Sequence, residues 1–154
     1  MLSDDLLKTA RLLTAATQKK PRQADLRRAV STAYYALFHA IARQAADTFA
    51  TTGENQSHPA WVQVYRSLDH GTAKDACRNV AVPAFPYGLV TCANSFITLQ
   101  EERHQADYNP DYRTTRADAQ TRIDEAEAAI TALNTASPKD RRAFLIHLII
   151  KKRR

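Results

Sequence analysis

Four residues near the end of one helical stretch could do chemistry together: Arg103, His104, Asp107 and Tyr108, within the segment EERHQADYNPDY. Arginine carries a planar guanidinium that stays charged and matches phosphate oxygens with a rigid fork of donors. Histidine titrates near neutrality and can move a proton in either direction. Asp107 accepts hydrogen bonds, and the Tyr108 hydroxyl can donate one to a phosphate oxygen, although a pKa of about 10 makes it a poor base. Around one phosphodiester such groups suit RNA cleavage without a metal: a base takes the 2′-hydroxyl proton while a cation stabilises charge building on the phosphorane. The same residues also suit a plain helix end. Arg103 and Asp107, four apart, share a face as an ion pair, and cations in a last helical turn are favoured by the helix dipole. Arg103 and His104 stand about 100° apart around the helix, so they diverge rather than share one phosphate. Both readings stay open from these residues alone.

Other chemistries find little support. Three glycines in 154 residues leave no phosphate-cradling loop and no nucleophile elbow. The five histidines, His39, His58, His70, His104 and His147, show neither HxxxH nor HExxH spacing, so no metal and no cofactor are expected. His39, on a long apolar helix, reads as a hydrogen-bonded helix histidine. Cys77 and Cys92 lie far apart without metal-type spacing and read as reduced helix residues of a cytoplasmic protein. The N-terminal MLSDDLLKTA, with two acidic residues and no long apolar run, is not expected to be a secretory signal, and no apolar run approaches the roughly 20 residues of a membrane span.

The net charge of +6 is concentrated at one end. From Lys139 onward there are seven Lys or Arg and one Asp, whereas residues 1–138 sum to zero. Lys151, Lys152, Arg153 and Arg154, together with Arg103, are therefore the candidates for nucleic-acid contact, and a solubilising terminus is the alternative.

The elements that must position these residues are helical. Many Ala, Glu, Gln, Arg and Lys and few Gly favour helix over sheet. A first helix is expected over about Ser3–Thr17, capped by Ser3 or Asp4. Leu26, Val30, Ala33, Tyr34, Leu37, Ile41, Ala45 and Phe49 recur at three- and four-residue steps, predicting a second helix over about Arg22–Phe49, roughly 40 Å long and the spine of the fold. A third opens at Pro59 with Ser57 or His58 near its cap, and either stops at Gly71 or runs to about Asn79. A fourth covers about Leu89–Tyr108, with Asn109 before Pro110 as its boundary. A fifth follows TTR and presents Ile123, Ala126, Ile130 and Leu133. The segment SPKD offers a Ser cap, Pro at the first helical position and an Asp in the first turn. The following AFLIHLII is apolar all round and suits a short helix packed on its own domain or on a second copy of the chain. One all-α domain is expected, with residues 1–138 as the bundle and 139–154 as a basic and apolar segment packed on it.

Three stretches resemble small bacterial HEPN proteins. RRAVSTAYYALFHAIARQ (27–44) is similar to the family's second helix, SHPAWVQVYRSL to the next helix entry, and ERHQADYNP to the Arg-x-x-Ala-Asp-Tyr ending. They occur in the family's order and span most of residues 22–115. The resemblance implies an up-and-down bundle of five to six helices, often a symmetric homodimer. Many relatives are metal-independent endoribonucleases, including toxins of toxin–antitoxin or defence systems restrained by a nucleotidyltransferase-type antitoxin. Others are non-catalytic modules that bind RNA or a protein. The family's active site pairs an Arg with a His after four to six intervening residues, usually at the dimer groove. Arg103 matches that Arg, but Tyr108 stands where many active relatives have His. Arg66 and His70 are one residue too close and lie in a different helix. Tyr34, Tyr35 and His39 match the helix pattern as packing and dimer-contact residues.

Overall fold

The structure, a computed structural model, describes residues 1–15, 19–79 and 81–151. Among these residues it contains seven α-helices and no strand: α1 Leu2–Leu13, α2 Gln23–Phe49, α3 His58–Tyr65, α4 His70–Cys77, α5 Tyr87–Tyr108, α6 Arg116–Thr135 and α7 Pro138–Ile149. The fold is an all-α bundle.

Helix α2 is its spine and packs against α1, α3, α5, α6 and α7. Alanines at 29, 33, 36, 40, 42, 45 and 46 are buried along it and let its neighbours approach closely, while Tyr34, Leu37 and Ile41 fill the space between. Phe96 and Leu99 from α5, Ile123 and Leu133 from α6, and Phe144, Leu145 and Leu148 from α7 complete the main core. Each such side chain contributes roughly 1.5–3 kcal/mol on burial. A smaller cluster of Leu26, Val30, Ala106 and Ala119, with Tyr112 against it, closes the end of the bundle where α5 stops.

Two expectations about helix ends are corrected. Met1, not Ser3 or Asp4, occupies the cap position of α1, and both residues lie inside its first turn with Ser3 buried. The helix ends at Leu13, and Thr17 lies outside the described residues. The expected third helix is two helices. Ser67 Oγ donates to the Val64 carbonyl at 2.6 Å, competing with continued backbone pairing, and Asp69 Oδ1 accepts from Thr72 N–H at 2.8 Å as the cap of a new helix. Gly71 therefore sits in the first turn of α4 and terminates nothing. Ser57 caps α3, and Ser137 caps α7 with Pro138 at its first position.

The end of α5 is set from a distance. Arg27, one turn into α2, donates from Nε to the Ala106 carbonyl at 2.8 Å and from Nη2 to that of Asn109 at 2.7 Å, with Nη1 3.4 Å from the Tyr112 oxygen. These carbonyls include groups that a helix C-terminus leaves without intrahelical partners, and a planar guanidinium suits them. Gln23 holds the next segment through bonds to both the carbonyl and the N–H of Thr114.

Candidate functional site

Arg103 points inward from α5 and is only 7% exposed. Its guanidinium carbon lies 5.2 Å from the Tyr34 ring centroid and 5.8 Å from that of Tyr35, so α2 offers it two aromatic faces. Adjacent residues of one helix normally diverge; here Tyr34 turns to the core while Tyr35 is half-buried beside it, their rings 5.3 Å apart. The guanidinium makes no hydrogen bond among the described residues. Its nearest anionic atom is Asp107 Oδ2, 3.8 Å from Nη1, beyond hydrogen-bonding range. That oxygen instead accepts from Ser31 Oγ at 3.2 Å. Nε is sealed from solvent without a partner, and the Nη atoms are not.

His70, the first residue of α4, reaches the same two rings. Its centroid is 5.6 Å from Tyr34 and 6.0 Å from Tyr35, and it stacks on Phe38 at 4.3 Å and 21°. Tyr34 Oη and His70 Nδ1 are 2.6 Å apart. Burial pushes the His70 pKa down, the charge of Arg103 pushes it further, and Asp69 opposes them. Burial raises the Tyr34 pKa well beyond the ordinary phenol value, against the pull of Arg103. Neighbouring His39 bonds Tyr65 Oη through Nδ1 at 2.6 Å, and burial lowers its pKa also.

Helix α4 is short, so tertiary contacts hold it. Ala73 and Cys77 enter the core, Lys74 and Arg78 reach Glu101 of α5 at 3.3 and 2.5 Å, and the Ala76 carbonyl meets His147 Nε2 of α7 at 2.8 Å. These contacts fix α4 against the helix that carries Arg103.

The structure thus divides the four residues of the RHQADY segment. Arg103 and Asp107 face Tyr34 and Ser31, whereas His104 and Tyr108 turn outward and pair with each other, ring centroids 5.1 Å apart. His104 lines a shallow groove with Lys74, Gln100, Glu101 and Gln105, and Tyr108 is 67% exposed. Lys151 is exposed at the end of α7, and its charge helps hold the Asp69 pKa down, after the hydrogen bonds from Thr72. Lys152, Arg153 and Arg154 lie outside the described residues.

Compared with protein-family models, with curated proteins and with solved structures, the chain gives no match. The site must be read from its own chemistry.

His70 is the residue that linear spacing could not place beside Arg103, because the two are 33 positions apart and on different helices. The Tyr34, Tyr35, Phe38 pattern on α2 was the one available signal of an aromatic platform. Cys77 and Cys92 are free and buried, and burial raises both thiol pKa values, that of Cys92 to about 12, which leaves them inert as nucleophiles at neutral pH. Among the described residues no three His, Cys, Asp or Glu are grouped to hold a metal ion, and no helix is long and apolar enough to cross a membrane.

Proposed function

We propose that this chain is a HEPN-type protein that acts on RNA, as a metal-independent endoribonuclease of a toxin–antitoxin or defence system working as a homodimer. One observation carries the reading: an arginine 7% exposed, its guanidinium resting on two tyrosine rings and without a hydrogen bond among the described residues. A cation taken out of water is costly unless hydrogen-bonded acceptors replace that water. Asp107, at 3.8 Å and engaged by Ser31, only partly does so. An arriving phosphate oxygen would complete the set at the Nη atoms. Arg103 would then stabilise the extra negative charge of the phosphorane in a site of low dielectric, where such a charge is most effective. The HEPN resemblance of residues 27–44 and 102–110 supports the same assignment, and with it a nucleotidyltransferase-type antitoxin as partner.

A second reading, a non-catalytic module that binds RNA or a protein, is favoured by the outward turn of His104 and Tyr108. With no base from α5 beside Arg103, phosphate contact would lead to retention and not cleavage.

Incubation of the purified protein with single-stranded RNA in excess EDTA separates the two. Fragments ending in 2′,3′-cyclic phosphate, absent with Arg103→Ala, are expected for the ribonuclease. Binding without fragments, weakened by Arg103→Ala, identifies the binding module. Equal cleavage or equal binding by the variant removes Arg103 from the function.

A further inference from the structure

His70 stands near the Arg103 guanidinium, which has an ion-pair contact with Asp107 but no hydrogen bond among the described residues, and the hydrogen bonding of His70 fixes which proton it can offer. Tyr34 is fully buried, and among the described residues its hydroxyl meets only His70 Nδ1. A buried hydroxyl proton without an acceptor is costly, so the hydroxyl donates and Nδ1 accepts. The proton of the neutral ring is then on Nε2. Nε2 has no hydrogen-bond partner among the described residues and is not sealed from solvent. Stacking on Phe38 at 4.3 Å holds the ring plane, and the Asp69 cap holds the first turn of α4 that carries it. Two donors without acceptors, one neutral and one cationic, therefore border the same pair of tyrosine rings.

We propose that His70 and Arg103 hold one RNA phosphate group between them, the imidazole donating from Nε2 and the guanidinium from its Nη atoms. This rests on the RNA reading above and adds a ligand from a second helix, in place of a histidine following Arg103 on α5. A neutral donor is the form that suits the place, because a second cation beside Arg103 would repel it. Burial and the charge of Arg103 both push the His70 pKa down, which favours that form in the free protein. In cleavage the 2′-oxygen bonds to phosphorus, and its proton passes to water. The bond from phosphorus to the 5′-oxygen breaks, its electron pair staying on that oxygen, which takes a proton from water. His70 and Arg103 hydrogen-bond the phosphorane throughout and exchange no proton.

The test uses the full chain labelled with 15N at histidine and a single-stranded 2′-O-methyl RNA, which lacks the nucleophile and so binds uncleaved. The free protein is expected to show His70 as the Nε2–H tautomer, and the RNA to shift the Nε2 resonance. His70→Phe, which keeps the stack on Phe38, is expected to weaken RNA binding about tenfold, the worth of one hydrogen bond to a charged group. His70→Gln, whose amide N–H falls near the place of Nε2, is expected to recover most of that affinity. The His70→Phe variant leaves the Tyr34 hydroxyl without an acceptor, so melting is followed alongside, and the wild-type resonances decide the matter whether or not that variant folds. An Nδ1–H tautomer, or an Nε2 resonance unmoved by RNA that Arg103→Ala no longer binds, overturns the role of His70 and leaves the RNA reading standing. RNA affinity untouched by Arg103→Ala and His70→Phe overturns both. A shift with inorganic phosphate but none with RNA also overturns the proposal, by assigning the pair to a small free anion.

Discussion

Asp107 does not close on Arg103: its Oδ2 stands 3.8 Å from Nη1 and takes a hydrogen bond from Ser31 at 3.2 Å. Spacing of four along α5 brings the two charges to one face, as it does on any helix. The Ser31 hydroxyl and the two tyrosine rings then decide how they meet. Asp107 is held at the rim, and the guanidinium lies behind it on the rings with its donors unspent. An arginine kept only to neutralise its neighbour would make the bond directly.

Replacing Arg103 with Met, an apolar side chain of similar length, is expected to leave stability within about 1 kcal/mol of wild type or to raise it, because a poorly compensated buried charge is removed. RNA binding or cleavage is expected to fall at least tenfold in the same variant. Urea unfolding and an RNA assay measure the pair of effects. A loss of more than about 3 kcal/mol, the scale for breaking a buried ion pair, would make Arg103 a structural pillar instead.

Arg27 should be among the most sensitive positions outside the apolar core. Arg27→Ala removes donors from carbonyls of Ala106 and Asn109 and is expected to cost about 2–3 kcal/mol in urea unfolding. Arg27→Lys is expected to recover little, since one ammonium cannot span carbonyls reached by separate arms of a planar fork. An alanine variant as stable as wild type would show that α5 and the 109–115 segment hold their own ends.

Acid should weaken the bundle in two separate windows. Burial lowers the pKa of His39 and His70, with Arg103 adding to the effect at His70. Below about pH 6.5 the unfolded chain therefore binds protons that the folded chain resists, and stability falls as pH drops, having been fully present above that value. Asp69, held down by its hydrogen bonds from Thr72, loses its contribution only as pH falls below about 4. Unfolding free energies at pH 7.5, 6.5 and 5.5 are expected to decline, with a shallower slope when His39 and His70 are both Gln. A flat profile across that range would mean both imidazoles charge freely in the folded state.

Deleting Lys151 to Arg154 removes four positive charges. If all four meet phosphates, the slope of log affinity against log salt for single-stranded RNA should become shallower by roughly 3, from about 0.7 for each phosphate neutralised. An unchanged slope would assign the tail to solubility.

The sequence by itself determined the helical class, the long spine and most helix ends, because these follow from local rules. Three- and four-residue apolar steps mark α2, Ser57 and Ser137 announce α3 and α7, and Pro110 bars α5 from passing Asn109. The division between α3 and α4 was harder to read, since Ser67 and Asp69 outweigh the glycine that draws attention at position 71. Around the site, the sequence showed Arg103, Asp107 and the Tyr34–Tyr35 pair as separate local patterns. Only the tertiary structure decided that the guanidinium lies on those rings, that Ser31 holds Asp107, and that His70 arrives from α4 to share the place. The physical reason is range: helix periodicity and capping act over a few residues, whereas these contacts depend on how α2, α4 and α5 cross once their apolar faces are buried.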